Sequence, residues 1–204
     1  MFKVYTKYFE YGEKEISYLS QKDRILGEAI ARLGKVERTV IPDLFQALVF
    51  AVIGQQISAK AAETIWNRLR NEGEITPSGI LEISPEVIQR CGLTYRKVSN
   101  LKEIADAVYS GSFNLTELKS FTDSQVIKSL STLKGIGTWT AEMLLLNSME
   151  RPDVVSFGDI AIKRGMMKLY GLSEITRDQF QDYRRRYSPY GSVASIYLWR
   201  ISFE

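Results

Sequence analysis

Helix-start signals recur along this chain more regularly than any other pattern, and they restrict what it can fold into. Ser20 with Asp23 makes an S-x-x-D box, and Asp43 with Gln46 makes another just after Pro42. Thr76-Pro77 and Ser84-Pro85 each pair an N-cap residue with proline at the first helical position. Thr122 with Gln125 and Thr176 with Gln179 are further capping boxes. Between these starts, apolar residues fall at helical spacing: Ile25, Ala29, Ile30 and Leu33; Ala62, Ile65, Trp66 and Leu69; Val98, Leu101, Ile104, Ala105 and Val108. Gly34, Gly73, Gly111 and Gly171 sit where such helices would stop. Only Phe2 to Tyr11 offers a strand. The pattern predicts an all-α protein of about ten short helices, with no sheet core. Its 204 residues suit one domain or two closely packed subdomains.

Residues 44–53 are apolar nearly all round, so their helix should be central. It breaks off at Gly54-Gln55-Gln56-Ile57-Ser58, where Ser58 can cap a helix over Ala59 to Arg70. Adjacent glutamines at such a corner are either a solvated loop or a contact surface, and packing alone does not ask for them. Internal boundaries are expected near Val40-Ile41-Pro42 and around Arg151-Pro152-Asp153.

Leu133-Lys134-Gly135-Ile136-Gly137-Thr138-Trp139-Thr140-Ala141 reads as a glycine hairpin that opens a helix. The first amides of that helix lack intrahelical partners and carry the positive end of its dipole. The stretch is therefore either a phosphate socket or an ordinary turn between packed helices. Asp159 stands 22 residues after Gly137, directly before a helical stretch over Ile160 to Tyr170. It is a good N-cap there. A carboxylate presented near the hairpin is the other reading, and the two are compatible.

With no histidine and Cys91 as the only cysteine, the chain can form neither an internal disulfide nor a cysteine or histidine metal site. Acid–base chemistry falls to Asp, Glu, Lys, Tyr or Cys91. The net charge of +3 is small, but residues 160–204 hold eight Lys/Arg against four acids. That excess suits a polyanionic partner, although Arg184-Arg185-Arg186 can equally be a solvated face. No apolar run approaches the ~20 residues of a membrane span. Met1 to Glu15 carries no apolar signal core, so an intracellular protein is expected.

Hairpin and aspartate together resemble the helix–hairpin–helix superfamily of base-excision DNA glycosylases. Within it the chain is most similar to the DNA-3-methyladenine glycosylase II branch. Gly135-Ile136-Gly137-Thr138-Trp139-Thr140-Ala141 is similar to the branch's G-I-G-x-W-T-A, and Asp159-Ile160-Ala161-Ile162-Lys163 to its D-x-x-I-K. Gly54-Gln55-Gln56-Ile57-Ser58 resembles its G-Q-x-(V/I)-S corner. Pro189-Tyr190-Gly191-Ser192-Val193-Ala194, followed by Trp199, resembles its P-W-R-S-x-A and later tryptophan. The four motifs occur in the family's order.

The resemblance implies two helical subdomains with an active-site cleft between them. Residues 1–42 would be a reduced N-terminal segment and 43–204 the glycosylase domain, with its hairpin near 133–141. It implies hydrolysis of the N-glycosidic bond of a flipped-out alkylated purine, 3-methyladenine or 7-methylguanine, in duplex DNA during base excision repair. Asp159 would be catalytic, stabilising the oxocarbenium-like sugar. Trp139 stands where strand-nicking relatives carry a Schiff-base lysine, so the activity implied is monofunctional. Trp139 and Trp199, with Met143, Tyr190 and Tyr197, would line the base pocket, and cation–π attraction of about 0.5–2 kcal/mol would favour a cationic base. Gln56 aligns with the wedge that fills the gap left by the extruded nucleotide. Gly135, Gly137, Thr138, Trp139 and Thr140 would bind phosphate through their amides, and Lys163 would also contact DNA. No cofactor is required; a structural Na+ or K+ is expected against the carbonyls of Leu133 and Ile136, and the protein is expected to act as a monomer. Met143 replaces an aromatic of the relatives and Gly158 a second carboxylate, which leaves 8-oxoguanine, uracil or hypoxanthine open as the lesion. A catalytically silent helix–hairpin–helix DNA-binding module is the alternative.

Overall fold

A computed structural model describes residues 6–204 of the chain. Of the expected strand Phe2 to Tyr11, residues 2–5 lie outside the described residues. The remainder supplies β1 (Lys7–Tyr8), antiparallel to β2 (Thr39–Val40), with Lys7 opposite Val40. Among the described residues this is all the sheet there is, and twelve α-helices carry the rest. The all-α expectation holds. None of these helices is long and apolar enough to cross a membrane.

The chain divides into two compact units, one formed by residues 6–40 with Leu145–Glu204 and the other by Ile41–Leu144. The first division falls beside the expected Pro42 boundary. The leading segment does not stand apart as a reduced N-terminal piece, however. It packs with the last 60 residues into a single unit. The second division falls at Leu144, several residues before the expected Arg151-Pro152-Asp153.

The central unit contains α3 (Leu44–Gly54), α4 (Ala59–Glu72), α5 (Pro77–Glu82), α6 (Pro85–Arg90), α7 (Tyr95–Tyr109), a 3-10 turn at Glu117–Ser120, and α8 (Asp123–Leu130). Helix α9 (Thr138–Asn147) begins in it. The helix starts read from sequence are formed: Asp43 accepts from the Gln46 amide at 2.8 Å, Ser58 from Ala61 at 3.2 Å, Thr76 from Gly79 at 3.0 Å and Ser84 from Val87 at 3.3 Å. Each such cap contributes about 1 kcal/mol by satisfying an amide that the helix itself cannot. As the all-apolar pattern requires, α3 buries Phe45, Ala47, Leu48, Val49, Val52 and Ile53. Trp66 of α4 is buried and meets Phe50 edge-to-face at 5.4 Å.

The terminal unit contains α1 (Glu13–Lys22), α2 (Arg24–Leu33), α10 (Ile160–Tyr170), α11 (Arg177–Tyr187) and α12 (Gly191–Ser202). One expected start is displaced. Ser20 lies inside α1, and it is Asp23 that caps α2, accepting from the Leu26 amide at 3.0 Å. The reason is packing: a Cβ on Gly27 would lie 2.9 Å from the Ser20 Cα, so Ser20 marks the close approach of α1 and α2. Asp23 is buried, and its second oxygen accepts from the Tyr170 hydroxyl at 2.7 Å and from Arg186 at 3.2 Å. Tyr170 and Tyr187 share a further hydroxyl contact of 2.7 Å.

Helix α12 is the unit's axis, with every residue but Arg200 buried. It crosses α10 at Gly165, where an added Cβ would stand 2.0 Å from the Leu198 carbonyl oxygen. Only glycine lets the two backbones come that close. This crossing sets the start of α10 against the far part of α12.

Candidate active site

Asp159 closes a loop that α12 holds along much of its length. The Ser192 amide donates to the Pro152 carbonyl at 2.9 Å, while the Ser192 hydroxyl donates to the Arg151 carbonyl and accepts from the Val154 amide at 3.0 Å. The Ser195 hydroxyl donates to the Val154 carbonyl at 2.7 Å. The Asp153 carboxylate accepts from the Gly191 amide at 3.1 Å and from the Ser188 hydroxyl at 2.7 Å. The small residues of Gly191-Ser192-Val193-Ala194-Ser195 are what allow the loop to lie on the helix. A Cβ on Gly191 would meet Asp153 Oδ1 at 2.6 Å.

The loop delivers Asp159 to the N-terminus of α10, where its side chain is 6% exposed. Oδ1 accepts from the amides of Ala161 and Ile162, both at 2.9 Å, and from the indole Nε1–H of Trp199 at 3.2 Å. The first two bonds are the N-cap expected from sequence. The third belongs to the tertiary fold alone. Three donors on one oxygen fix the plane of the carboxylate, and the positive end of the α10 dipole lies beneath it.

Trp199 is 8% exposed, and one face of its ring is already covered: the Arg38 guanidinium carbon lies 4.1 Å from the ring centroid. Arg38 Nε donates to Asn147 Oδ1 at 3.0 Å. Burial pushes the guanidinium's pKa down from its ordinary value and the Asp159 charge opposes that, but an arginine stays protonated regardless. Lys163, one turn after Asp159, lies over the Phe157 ring at 4.9 Å, and Arg177 lies over the same ring at 5.7 Å.

The hairpin is built in the central unit. Gly135 has φ +84°, and a Cβ there would fall 2.1 Å from the Asn100 amide nitrogen. Its glycine is required twice over. Gly137 has open space where a Cβ would go. The Ala141 amide bonds the Gly137 carbonyl at 3.0 Å as α9 begins, so the amides of Thr138, Trp139 and Thr140 precede its i→i−4 ladder. Gly135, Gly137 and Thr138 are exposed, whereas Leu133, Ile136 and the Thr140 side chain are buried.

The two glutamines divide their work. Gln55 Nε2 donates to the Gly135 carbonyl at 2.8 Å, tying the corner to the hairpin across 80 positions of sequence. Lys97 Nζ donates to the carbonyls of Ile53 and Gln55, both at 2.7 Å, and so caps the end of α3. Gln56 is exposed and held at φ +61°, a left-handed conformation that non-glycine residues adopt at a cost of about 1–3 kcal/mol.

Among the expected pocket residues, Trp139 is 45% exposed on the first turn of α9, and Met143 is half-buried one turn later. Tyr190 is half-buried, packed edge-to-face on Tyr18 at 5.2 Å. Tyr197 is not a pocket residue. It is fully buried in the core, where its hydroxyl donates to the Gly34 carbonyl at 3.0 Å beside Tyr11. Its place on α12, two residues from Trp199, puts it on a different side of the helix. Arg38, Asn147, Lys97 and Ser195 carry no motif in the sequence, and Gln55 and Ser192 stand in motifs that give neither of them a partner. Only the serines carried a local sign, small residues spaced i, i+3 on one helical face.

The HhH-GPD superfamily model of base excision DNA repair proteins matches residues 49–189. The chain belongs to the HhH-GPD superfamily of base excision DNA repair proteins. Among its relatives, DNA-3-methyladenine glycosylase 1 of Schizosaccharomyces pombe is 35% identical over 164 residues, covering 78% of this chain and 72% of that protein. DNA-3-methyladenine glycosylase 2 of Escherichia coli is 27% identical over 192 residues, covering 86% and 65%. The crystal structure of a DNA-3-methyladenine glycosidase from Bacillus halodurans superposes with a TM-score of 0.84 at 32% identity, covering 96% of this chain and 92% of that one.

Proposed function

We propose that this chain is a monofunctional DNA glycosylase that hydrolyses the N-glycosidic bond of alkylated purines, 3-methyladenine and 7-methylguanine, in duplex DNA. The observation that carries this reading is Asp159, fixed by two helix amides and the Trp199 indole at the start of α10. Cleavage leaves positive charge on the deoxyribose ring, and a preorganised carboxylate in a largely water-free setting stabilises that charge without having to reorganise. The bonding pair departs with the base. Alkylation makes the purine cationic, so it leaves without a strong general acid, in keeping with a chain that has no histidine. Water then adds to C1′ and gives up a proton, for which Asp159 is the acceptor.

Trp139 supplies no amine at the position where a lyase would form its Schiff base, so the strand stays intact. Its partly exposed ring suits stacking on the flipped base, with Met143 one turn on. The opening amides of α9 suit a DNA phosphate, and Gln56, exposed at the corner after α3, suits the gap left by the extruded nucleotide. A monovalent cation fits the hairpin's donor set of neutral oxygens: the Leu133 carbonyl already accepts from the Ile136 amide at 3.0 Å, which leaves a lone pair on it, and the Ile136 carbonyl would complete the contact. Bound there, the ion would add positive charge where a phosphate approaches. The enzyme is read as an intracellular monomer.

The test uses duplex DNA carrying a single 7-methylguanine or 3-methyladenine. Wild type should release the base and leave an abasic site that is cut only on heating in alkali. Borohydride should trap no enzyme–DNA adduct. Asp159→Asn should lower single-turnover release by about 10³-fold or more while keeping affinity for abasic-site duplex within a few-fold. Unchanged turnover would remove Asp159 from the reaction, and binding without any release by wild type would leave only a DNA-binding module.

A further inference from the structure

Arg38 lies in the leading segment, between α2 and β2, and is the cation over the face of an indole that hydrogen-bonds Asp159. Its guanidinium stacks 4.1 Å from the Trp199 ring centroid, its Nε is anchored on Asn147 Oδ1 at 3.0 Å, and the ring's Nε1–H meets Asp159 Oδ1 at 3.2 Å. We propose that Arg38 is a positioning residue for Asp159, acting through Trp199. This rests on the reading of Asp159 as the reacting carboxylate.

Two physical effects run through the ring. An indole turns about χ2 unless both faces are held, and its N–H bond to Asp159, at 3.2 Å, lies at the long end for N–H···O. A guanidinium clamped to Asn147 holds the ring's plane, and so keeps the N–H on the carboxylate. A cation on the π face also draws electron density from the ring, which makes the N–H a better donor. Positive guanidinium, neutral ring and negative carboxylate therefore form one line of complementary charge. The covered face has a second consequence: a cationic base cannot stack on that face of Trp199.

The test compares Arg38→Met, which keeps an apolar chain over the indole but drops the charge and the Nε donor, with Arg38→Lys, which keeps the charge. The first readout is solvent exchange of the Trp199 indole N–H by NMR in the DNA-free protein, assigned with Trp199→Phe. Trp66, a buried indole in the central unit, is the control for general loosening. Arg38→Met should raise exchange at Trp199 about tenfold and leave Trp66 unchanged, and Arg38→Lys should recover most of the protection. The second readout is single-turnover release from 7-methylguanine duplex, which should fall about tenfold in Arg38→Met with abasic-site affinity held within threefold, and recover in Arg38→Lys. Unchanged exchange at Trp199 in Arg38→Met overturns the proposal, as does loosening of Trp66 and Trp199 together. If wild type releases no base, the glycosylase reading falls, while the exchange data still decide whether Arg38 holds Trp199 on Asp159.

Discussion

Gly165 carries more of this architecture than its absent side chain suggests. A Cβ at that position would press on the Leu198 carbonyl, so Gly165→Ala must push α10 away from α12. The expected cost is about 1–3 kcal/mol, the range for overpacking a tight interior. Because Asp159 and Trp199 sit on those two helices, their 3.2 Å contact should open as well. Thermal unfolding reads the first effect, and indole exchange at Trp199 reads the second. The hairpin glycines make a contrasting pair. Gly135→Ala meets both a left-handed φ and the Asn100 amide, and should lower Tm by several degrees. Gly137→Ala has room in the free protein and should leave Tm within about a degree. If the hairpin grips a phosphate, that methyl group should nonetheless weaken duplex binding about tenfold, because it stands where the DNA backbone must come close. Equal Tm losses in the two variants, or intact binding in Gly137→Ala, would count against the socket.

The elements fall into two groups according to how they were readable. Helices with a capping side chain and apolar periodicity, such as α8 with its Thr122–Gln125 box and α10 behind Asp159, were legible because both signals act within one or two turns. Helix α1 was not, since its N-cap is Gly12, whose amide is satisfied by Glu15 at 2.8 Å. A glycine cap has no side chain to announce it. Helix α7 is capped by Thr94, whose hydroxyl accepts from the Lys97 amide at 3.4 Å, a start that the stronger periodicity of the following residues overshadowed. Ser20 was misplaced for a related reason: a small polar residue serves equally as a cap or as a point of close helix packing, and only its neighbour Gly27 tells which.

Across the whole molecule, the terminal unit ties its polar interior to phenols that must stay neutral. Burial pushes Tyr187 and Tyr197 well above the ordinary phenol range, and Tyr170, hydrogen-bonded to Asp23 and Tyr187, further still. The folded pKa of each is raised, so their contribution to stability is complete below pH 10 and is lost as the pH climbs above it, where the unfolded chain releases protons that the native state retains. Each phenol should contribute a slope of up to about −1.4 kcal/mol per pH unit in that window. Stability measured by urea unfolding between pH 8 and 11 should be level at first and then fall steeply. Tyr187→Phe should flatten the fall, and a slope unchanged in that variant would show that Tyr187 ionises as freely in the folded state as in the unfolded one.

What this chain settled by its residues alone was local: an all-helical architecture, most helix boundaries, the glycine hairpin, and Asp159 as the cap of α10. Caps, periodicity and glycine conformation act over a few residues, so they can be read without knowing what lies opposite. What only the tertiary structure decided was which distant groups meet. Arg38 reaches Trp199, Gln55 reaches Gly135, and Tyr197 turns inward to the Gly34 carbonyl while Trp199, two residues on, turns to Asp159. The Arg38, Tyr197 and Trp199 pairings depend on how α10 and α12 cross and on where the leading segment packs, and the Gln55 pairing on how the corner after α3 meets the hairpin within the central unit. An arginine, a glutamine or a tyrosine carries no mark of its partner until the backbone has brought the two together.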